Sequence, residues 1–579
     1  MSELTRRVLV LGEDTRAFLT VVRSLGRAGL EVHVGWCSRT SAALSSKYVN
    51  RFHRLPAYRA DCDEWLAAFN HLLQEQQFDL VVPCSDDTIL PLQMHRAALI
   101  CPGRICLLPD DVYRTCASKD QTYLLAQRLE IPLPAQVIAS TLDDVRAAAA
   151  RFGYPLVLKP RSSSSTLNPS TRRVVRKVAG PGDLEAQAPA MLAEEEILVQ
   201  QNVTGKGVGV EVLCKDGRVL AAFQHERVHE PLQGAGSSYR KSVPLHPGML
   251  EATRRMMQEL RYTGVAMAEY KYNPATGGWV LIEINARFWG SLPLAVAAGM
   301  DFPRYLYEMW CEGQERFPQQ YAINRYCRNL TADLQWMLAN LRADRRDTNL
   351  MTVPLPRVAA ECTNLLLLRE RSDTFSWDDW RPAWADLSAY LEAKLFALNK
   401  RLGWFRGVQR RRAAEAVGGA RNVAFVCHGN ICRSPFAAAT VARLRPDFAV
   451  SSFGCFPQAE RRPPAAALEA ARRLGVDLSG HRSRVITQAD VDGADVILIF
   501  DRDNRDHLRA QFSGLQGKVH YLGALEVEGP LEIADPHGLP LQEFVKCYER
   551  IRQIEERWFG QEGKSSLAAA GLAARPIAH

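Results

Sequence analysis

The chain has 579 residues, 47% of them hydrophobic and 23% charged, so it is too long for one core and ordinary in composition for globular protein. Its net charge of +8 is mild for that length, and no Lys/Arg run with interleaved aromatics marks a nucleic-acid face. The 14 scattered cysteines, with no CxxC, point to reduced thiols in a cytoplasmic protein. No signal-peptide core, membrane-spanning apolar run or solenoid repeat is present.

In chain order, residues 7–12 (RVLVLG) predict a strand, residues 15–28 a helix and residues 31–36 a second strand, a βαβ start. Gly12 stands at the first turn without a GxGxxG, so no dinucleotide site is supported. Residues 78–84 are a buried strand, and Ser85-Asp86-Asp87 is expected as a loop at its carboxyl end. Asp86 or Asp87 reads there either as a substrate contact or as a helix N-cap.

Lys119 opens a helix, and residues 142–152 predict another. Residues 154–159 form a strand ending at Lys159, followed by the Ser-rich loop RSSSSTLNPS. Residues 196–203 form a strand carrying Gln200, Gln201 and Val203, and residues 208–213 the next, carrying Glu211. A helix at 249–260 leads to a hairpin. Its strands are 264–270, with Glu269, and 279–284, with Glu283, and Asn285 and Arg287 follow.

A strand repeat of two places Glu283 and Asn285 on one face. Three oxygen ligands there suit Mg²⁺ or Mn²⁺ bridging nucleotide phosphates, and Arg287 shares the face, where it can stabilise a transferring phosphoryl group. The Ser-rich loop can bring backbone N–H groups to phosphate oxygens. Taken singly, these features also read as an acidic hairpin with a capping Asn and a solvated loop. As a set they resemble the ATP-grasp fold over roughly residues 1–315, and within it the carboxylate–amine ligases. The resemblance implies Lys119 and Lys159 on ATP phosphates and Gln200, Gln201 and Val203 beside adenine. It implies Glu269, Glu283 and Asn285 as metal ligands and Arg287 as the arginine of EINxR. The implied reaction activates a small-molecule carboxylate as an acyl phosphate for attack by an amine or thiol. The flap departs from the pattern, being Ser-rich where many members are Gly-rich.

Residues 316–420 predict two amphipathic helices, DLQWMLANLRA and WADLSAYLEAKLFALNKRLGWF. The second runs into Lys400, Arg401, Arg406, Arg410, Arg411 and Arg412. It reads either as a helix for an anionic membrane or a partner, or, the plainer reading, as a solvated linker. Val417-Gly418-Gly419-Ala420 is expected as a hinge.

Residues 423–435, VAFVCHGNICRSP, pass from a buried strand through a tight loop into a helix. Such a turn is an anion cradle, where converging N–H groups and the helix dipole, with Arg433 alongside, favour a thiolate at Cys427. A thiolate under a phosphate is a nucleophile aimed at phosphorus. The stretch closely resembles the phosphate loop of the low-molecular-weight protein tyrosine phosphatases, and the resemblance extends to about Phe559. It implies Cys427 as nucleophile, Arg433 as phosphoryl clamp, Asn430 as loop support, Ser434 as hydrogen-bond donor to the thiolate, and Asp535 of Asp535-Pro536 as general acid. Cys432 reads either as the thiol of a protective disulfide, as the family uses, or as a small core residue. Ile431 accompanies phosphotyrosine specificity in that family, but His537 stands where an aromatic usually follows Asp-Pro.

The expected fold class is therefore multidomain α/β: a pre-ATP-grasp Rossmann-like domain (1–112), an ATP-grasp domain (113–315), a helical extension and linker (316–420), a doubly wound parallel-sheet low-molecular-weight phosphatase domain (421–560) and a disordered tail (561–579). The expected function is an ATP-dependent ligase fused to a phosphatase acting on an aryl phosphate such as protein phosphotyrosine. The alternative is a phosphatase regulated by a nucleotide-sensing ATP-grasp module.

Overall fold

The computed structural model describes residues 6–560 except 37, 57, 59–62, 162–174, 194, 233, 235, 346, 348, 349, 368, 401 and 527. The Ser-rich flap beyond Arg161 and the tail 561–579 lie outside the described residues. The chain divides into two compact units, one built mainly from residues 6–388 and one mainly from residues 389–560.

The first unit opens with a parallel sheet in the order Arg51–His53, Glu31–Gly35, Arg7–Leu11, Leu80–Pro83. Arg7–Leu11 and its neighbour Leu80–Pro83 are almost entirely apolar and buried, as burial on both faces requires. Ser85 does not start a loop. It is the N-cap of the helix Asp86–Met94, its N–H donating to Thr88 Oγ1 at 3.3 Å. A second sheet is antiparallel, in the order Gln136–Ala139, Ile197–Gln201, Leu156–Pro160, Arg176–Val178.

The third sheet has seven strands. At its centre the hairpin Lys206–Lys215 and Arg218–His229 pairs with Gly264–Tyr272 and then Trp279–Asn285. The turn is Asp216-Gly217, with φ of +49° and +82°, the geometry for which Asp-Gly is suited in a two-residue hairpin. Along Lys206–Lys215 successive side chains serve two cores. Val208, Val210, Val212 and Cys214 pack with Met249, Met256 and Tyr270. Leu213 packs with Phe223, Met267 and the Val8 and Val10 strand of the first sheet. That shared core fixes the carboxyl end of Leu80–Pro83 beside the end of Trp279–Asn285.

The expected helical extension supplies the outer strands of the third sheet, Tyr326–Arg328 and Arg371–Ser372. Buried charge ties it there. Arg240 is fully buried, gives Nη2 to both oxygens of Asp373 at 2.5 Å and Nη1 to the Gly290 carbonyl at 2.7 Å. His229 lies between Asp333 Oδ1 at 2.8 Å and Glu361 Oε2 at 2.7 Å.

The second unit is a parallel sheet in the order Ala449–Gly454, Asn422–Cys427, Val496–Ile499, Val519–Tyr521. The expected hinge at 417–420 is not a break. Gly403–Gly419 is one helix, and its Ala413, Ala414 and Val417 enter the core of this unit.

Replacing Asp373 with Ala leaves the Arg240 guanidinium buried without its anion. Asp373→Ala is expected to cost about 3–5 kcal/mol, read as a drop in the first unfolding transition by calorimetry.

Candidate active sites

In the second unit the apolar strand Asn422–Cys427 ends with Cys427 buried at the carboxyl edge of the sheet. The chain returns through Asn430, whose φ of +52° is a left-handed conformation that Asn tolerates. Asn430 then holds the loop from every side. Its N–H donates to Cys427 Sγ (3.2 Å), and its Nδ2 donates to Ser434 Oγ (2.9 Å) and Ser452 Oγ (3.0 Å). Its Oδ1 accepts from the Arg484 N–H (2.8 Å), and its carbonyl lies 2.8 Å from His481 Nε2. Cys427 Sγ and Ser434 Oγ are 3.1 Å apart. The loop packs so closely on the neighbouring strand that a Cβ on Gly454 would stand 2.9 Å from Asn430 N.

The helix Arg433–Leu444 starts from the same loop. Arg433 is almost wholly buried, with Nη1 on Asp501 Oδ2 (2.6 Å) and the Ile533 carbonyl (2.8 Å) and Nη2 on Asp535 Oδ2 (2.6 Å). Its Nε, also buried, has no hydrogen-bond partner among the described residues. Although burial opposes the charge, Cys427, Asp535 and Asp501 raise the proton affinity of Arg433 further. The structure thus brings Cys427, Asn430, Arg433, Ser434 and Asp535 into one cluster.

Four residues in and around that cluster were given no role from the sequence. Asp501 lies just past Val496–Ile499 and also caps the next helix through the Asn504 N–H at 2.8 Å. Arg461 reaches the Gly429 carbonyl at 2.6 Å and lies over the Phe456 ring. His428 beside it is lowered from its ordinary pKa by burial, with Arg461 and Arg433 adding to the effect. Tyr548, from the helix Leu541–Phe559, donates to the Cys432 carbonyl at 3.0 Å and stacks on Phe436. Cys432 is a buried free thiol, its pKa pushed up by burial.

In the first unit, Glu269 and Glu283 face each other across the hairpin, and Asn285 Nδ2 lies 3.2 Å from Glu283 Oε1. Asn285 ends the strand rather than following it. Buried Lys159 feels both carboxylates together with Lys119 and Lys271. Burial, chiefly, lowers its pKa to about 8. Lys119 Nζ sits 3.4 Å from the Pro160 carbonyl. Two cations absent from the sequence reading complete the cluster. Arg227 binds Glu269 Oε2 at 2.6 Å, and Lys271 pairs with Glu230 at 3.2 Å. Arg287 donates Nε to Asp86 Oδ1 at 2.7 Å, so the first-sheet carboxylate meets the hairpin arginine.

Gln200 points inward, its Nε2 on the Tyr123 hydroxyl (3.0 Å) and Gln136 Oε1 (2.9 Å). Gln201 is exposed at the strand's end and Val203 is half-buried beyond it. Among the described residues no group of three His, Cys, Asp or Glu side chains is arranged to hold a metal. The hairpin offers two carboxylates and one amide. That hard-oxygen set fits Mg²⁺ of the kind that takes its remaining ligands from water and substrate phosphates.

A buried cysteine thus ends a central parallel strand, under a loop closed by a buried arginine. Residues 422–569 match the family model described as low molecular weight phosphotyrosine protein phosphatase. The chain is similar to the probable low molecular weight protein-tyrosine-phosphatase EpsP of Ralstonia nicotianae, with 31% identity over 138 residues, which is 24% of this chain and 93% of that protein. It is also similar to the Escherichia coli K12 phosphatase Wzb, with 28% identity over 137 residues, 24% of this chain and 92% of that protein. Through this region the chain belongs to the low molecular weight protein-tyrosine-phosphatase family. Residues 193–327, in the first unit, match the model described as ATP-grasp in the biosynthetic pathway with Ter operon. Among solved structures the chain is similar to N5-carboxyaminoimidazole synthetase from Staphylococcus aureus, with a TM-score of 0.45 and 14% identity over 58% of this chain and 85% of that chain.

A Cβ at Gly454 meets loop backbone rather than a movable side-chain tip. Gly454→Ala is expected to displace Asn430 and lower kcat on p-nitrophenyl phosphate by about a hundredfold while the protein stays folded by circular dichroism.

Proposed function

We propose that the chain is a two-headed enzyme, an ATP-dependent ligase in residues 1–315 and a cysteine phosphatase in residues 421–560. The observation that carries the phosphatase half is Arg433. It is buried, anchored on Asp501 and the Ile533 carbonyl, shares Asp535, and keeps an unpartnered Nε beside the Cys427 loop.

The Cys427 thiolate attacks phosphorus while Arg433 and the loop N–H groups stabilise the equatorial oxygens. Asp535, as the acid, gives its proton to the leaving phenolate oxygen as the P–O bond breaks. As carboxylate it then takes a proton from the water that displaces Cys427 and releases phosphate. Ser434 donates to the thiolate when Cys427 leaves. Ile431 in the loop supports an aryl phosphate, as do the names of the two relatives as protein-tyrosine-phosphatases, and a phosphotyrosine protein is the proposed substrate. Free cysteines among the described residues support a reducing, cytoplasmic setting.

In the ligase half, Glu269, Glu283 and Asn285 would hold Mg²⁺, which when bound neutralises nucleotide phosphate charge. Lys119 and Lys159 bind phosphate oxygens, and the Gln200–Val203 segment borders adenine. Arg287 exchanges Asp86 for the acyl phosphate formed on a small-molecule carboxylate, and an amine then displaces phosphate.

Cys427→Ser is expected to lower aryl-phosphate hydrolysis at least about 10⁴-fold, and Asp535→Asn by about 10²–10⁴-fold in kcat, with ATP binding unchanged in both. Phosphate release in stopped-flow assays checks each, and activity surviving Cys427→Ser would sink the nucleophile assignment. Lys159, with its pKa lowered to about 8, is an ammonium below that pH and neutral above it. MgATP affinity, by calorimetry, is therefore expected to weaken as pH rises through about 8, with uptake of a proton on binding. Lys159→Arg, always charged, is expected to abolish that dependence, and a flat profile in the unaltered protein would remove Lys159 from the phosphate site.

A further inference from the structure

The basic helical segment that the two active sites leave unused has a surface of its own. The helix Arg381–Asn399 enters the second unit's core through Phe396, which stacks on Tyr521 at 5.8 Å. Its Glu392 turns to the same unit, 3.6 Å from Arg505 and 3.2 Å from Arg509. A different face carries Trp384, Leu391, Leu395 and Leu398, spaced by seven, four and three residues, and Leu402 follows four further on. Those side chains are open to solvent: Trp384 is 63% exposed, Leu395 56% and Leu398 61%, and Trp404 beyond them is 66% exposed. Folding of the helix onto its unit uses Phe396 and does not use this stripe.

The charge beside the stripe is concentrated. Residues 381–412 hold eight Lys/Arg and two Asp/Glu, a net +6 out of the whole chain's +8. Lys394 flanks the leucines, and Arg411 and Arg412 are exposed on the following helix Gly403–Gly419, whereas Arg410 lies over the Trp558 ring. Exposed tryptophan and leucine beside a localised positive field is the surface that an anionic bilayer complements. Indole rings settle at headgroup level, leucines reach the acyl boundary, and each Lys or Arg adds attraction to acidic lipid. A protein groove would complement the leucines but gives no reason for so many basic side chains, with Glu392 already engaged. Among the described residues no helix is long and apolar enough to cross a membrane, so the contact is with the surface.

We propose that this stripe and its basic flank lay the protein on an anionic lipid bilayer. The bilayer contact needs neither active site and goes beyond the two proposed activities.

Full-length protein is floated with phosphatidylcholine vesicles and with vesicles about one-third phosphatidylglycerol, at low and high salt. Binding is expected on the acidic vesicles alone and is released by salt. L395E/L398E changes only exposed positions and is expected to lower partitioning at least about tenfold. R411E/R412E is expected to do the same through charge. Both should leave p-nitrophenyl phosphate hydrolysis unchanged, which certifies the fold. Protein that stays unbound on acidic vesicles at low salt overturns the proposal. So does sedimentation as a dimer that L395E/L398E converts to monomer, since the stripe would then belong to a second copy. Equal binding to both vesicle types, insensitive to R411E/R412E, refutes the anionic part.

Discussion

The second unit depends on one buried cation. The Arg433 guanidinium sits in an apolar core where an unpaired charge would be untenable, and its charge is compensated because two separate segments converge on it. Asp501 arrives at the end of Val496–Ile499, and the Ile533 carbonyl and Asp535 arrive on the loop before the last helix. Each contact that pays the desolvation of Arg433 also aims it, so the loop's chemistry and the fold's integrity rest on the same hydrogen bonds. Asp535 differs from the Ile533 carbonyl in that it is held by Arg433 yet remains partly open to solvent.

The first unit meets the opposite problem, a crowd of charges rather than one. Lys119, Lys159, Lys271 and Arg227 gather round Glu269, Glu283 and Glu230, and Lys159 holds its proton weakly chiefly because it is buried, with Lys119 and Lys271 adding to the effect. An added negative charge beside Lys159 would favour that proton. The Asp86–Arg287 pair has a related character. The Asp86 carboxylate, at the start of the helix that follows Leu80–Pro83, holds Arg287 at the carboxyl end of a parallel strand.

The phosphate-loop residues were legible because local sequence builds that site. Strand, loop and helix are contiguous from Val423 to Phe436, and the apolar run, Gly429, Asn430 and Arg433 each carry their own signal. Asp501 and Arg461 were not, since nothing in DRDN or ERRPP distinguishes a side chain that will turn toward a loop tens of residues away. In the first unit the Glu269–Glu283 hairpin was readable from alternation and its turn. The longer hairpin Lys206–Lys215 and Arg218–His229 was only half recognised. Its second strand mixes Gln224, His225, Glu226 and Arg227 into the sheet interior, and those polar residues find partners only after folding, so hydrophobic alternation is lost. Asp216-Gly217 was the usable signal. The extension at 326–373 looked like linker because its strands are too short to show a period, and because what binds it is charge on charge, Arg240 with Asp373 and His229 with Asp333 and Glu361.

Charge distribution sets the two catalytic regions apart from the segment that joins them. Removing the net +6 of residues 381–412 from the chain's +8 leaves +2 for everything else, so neither catalytic region carries a long-range field of its own. The ion pairs around Arg433 and Glu269 are short and buried, where salt screens little, whereas the charge on the joining segment is largely exposed, where salt screens strongly. Ionic strength therefore separates the two kinds of recognition within one chain: it leaves the geometry around Arg433 and Glu283 intact and acts on the surface where tryptophan, leucine and arginine stand open.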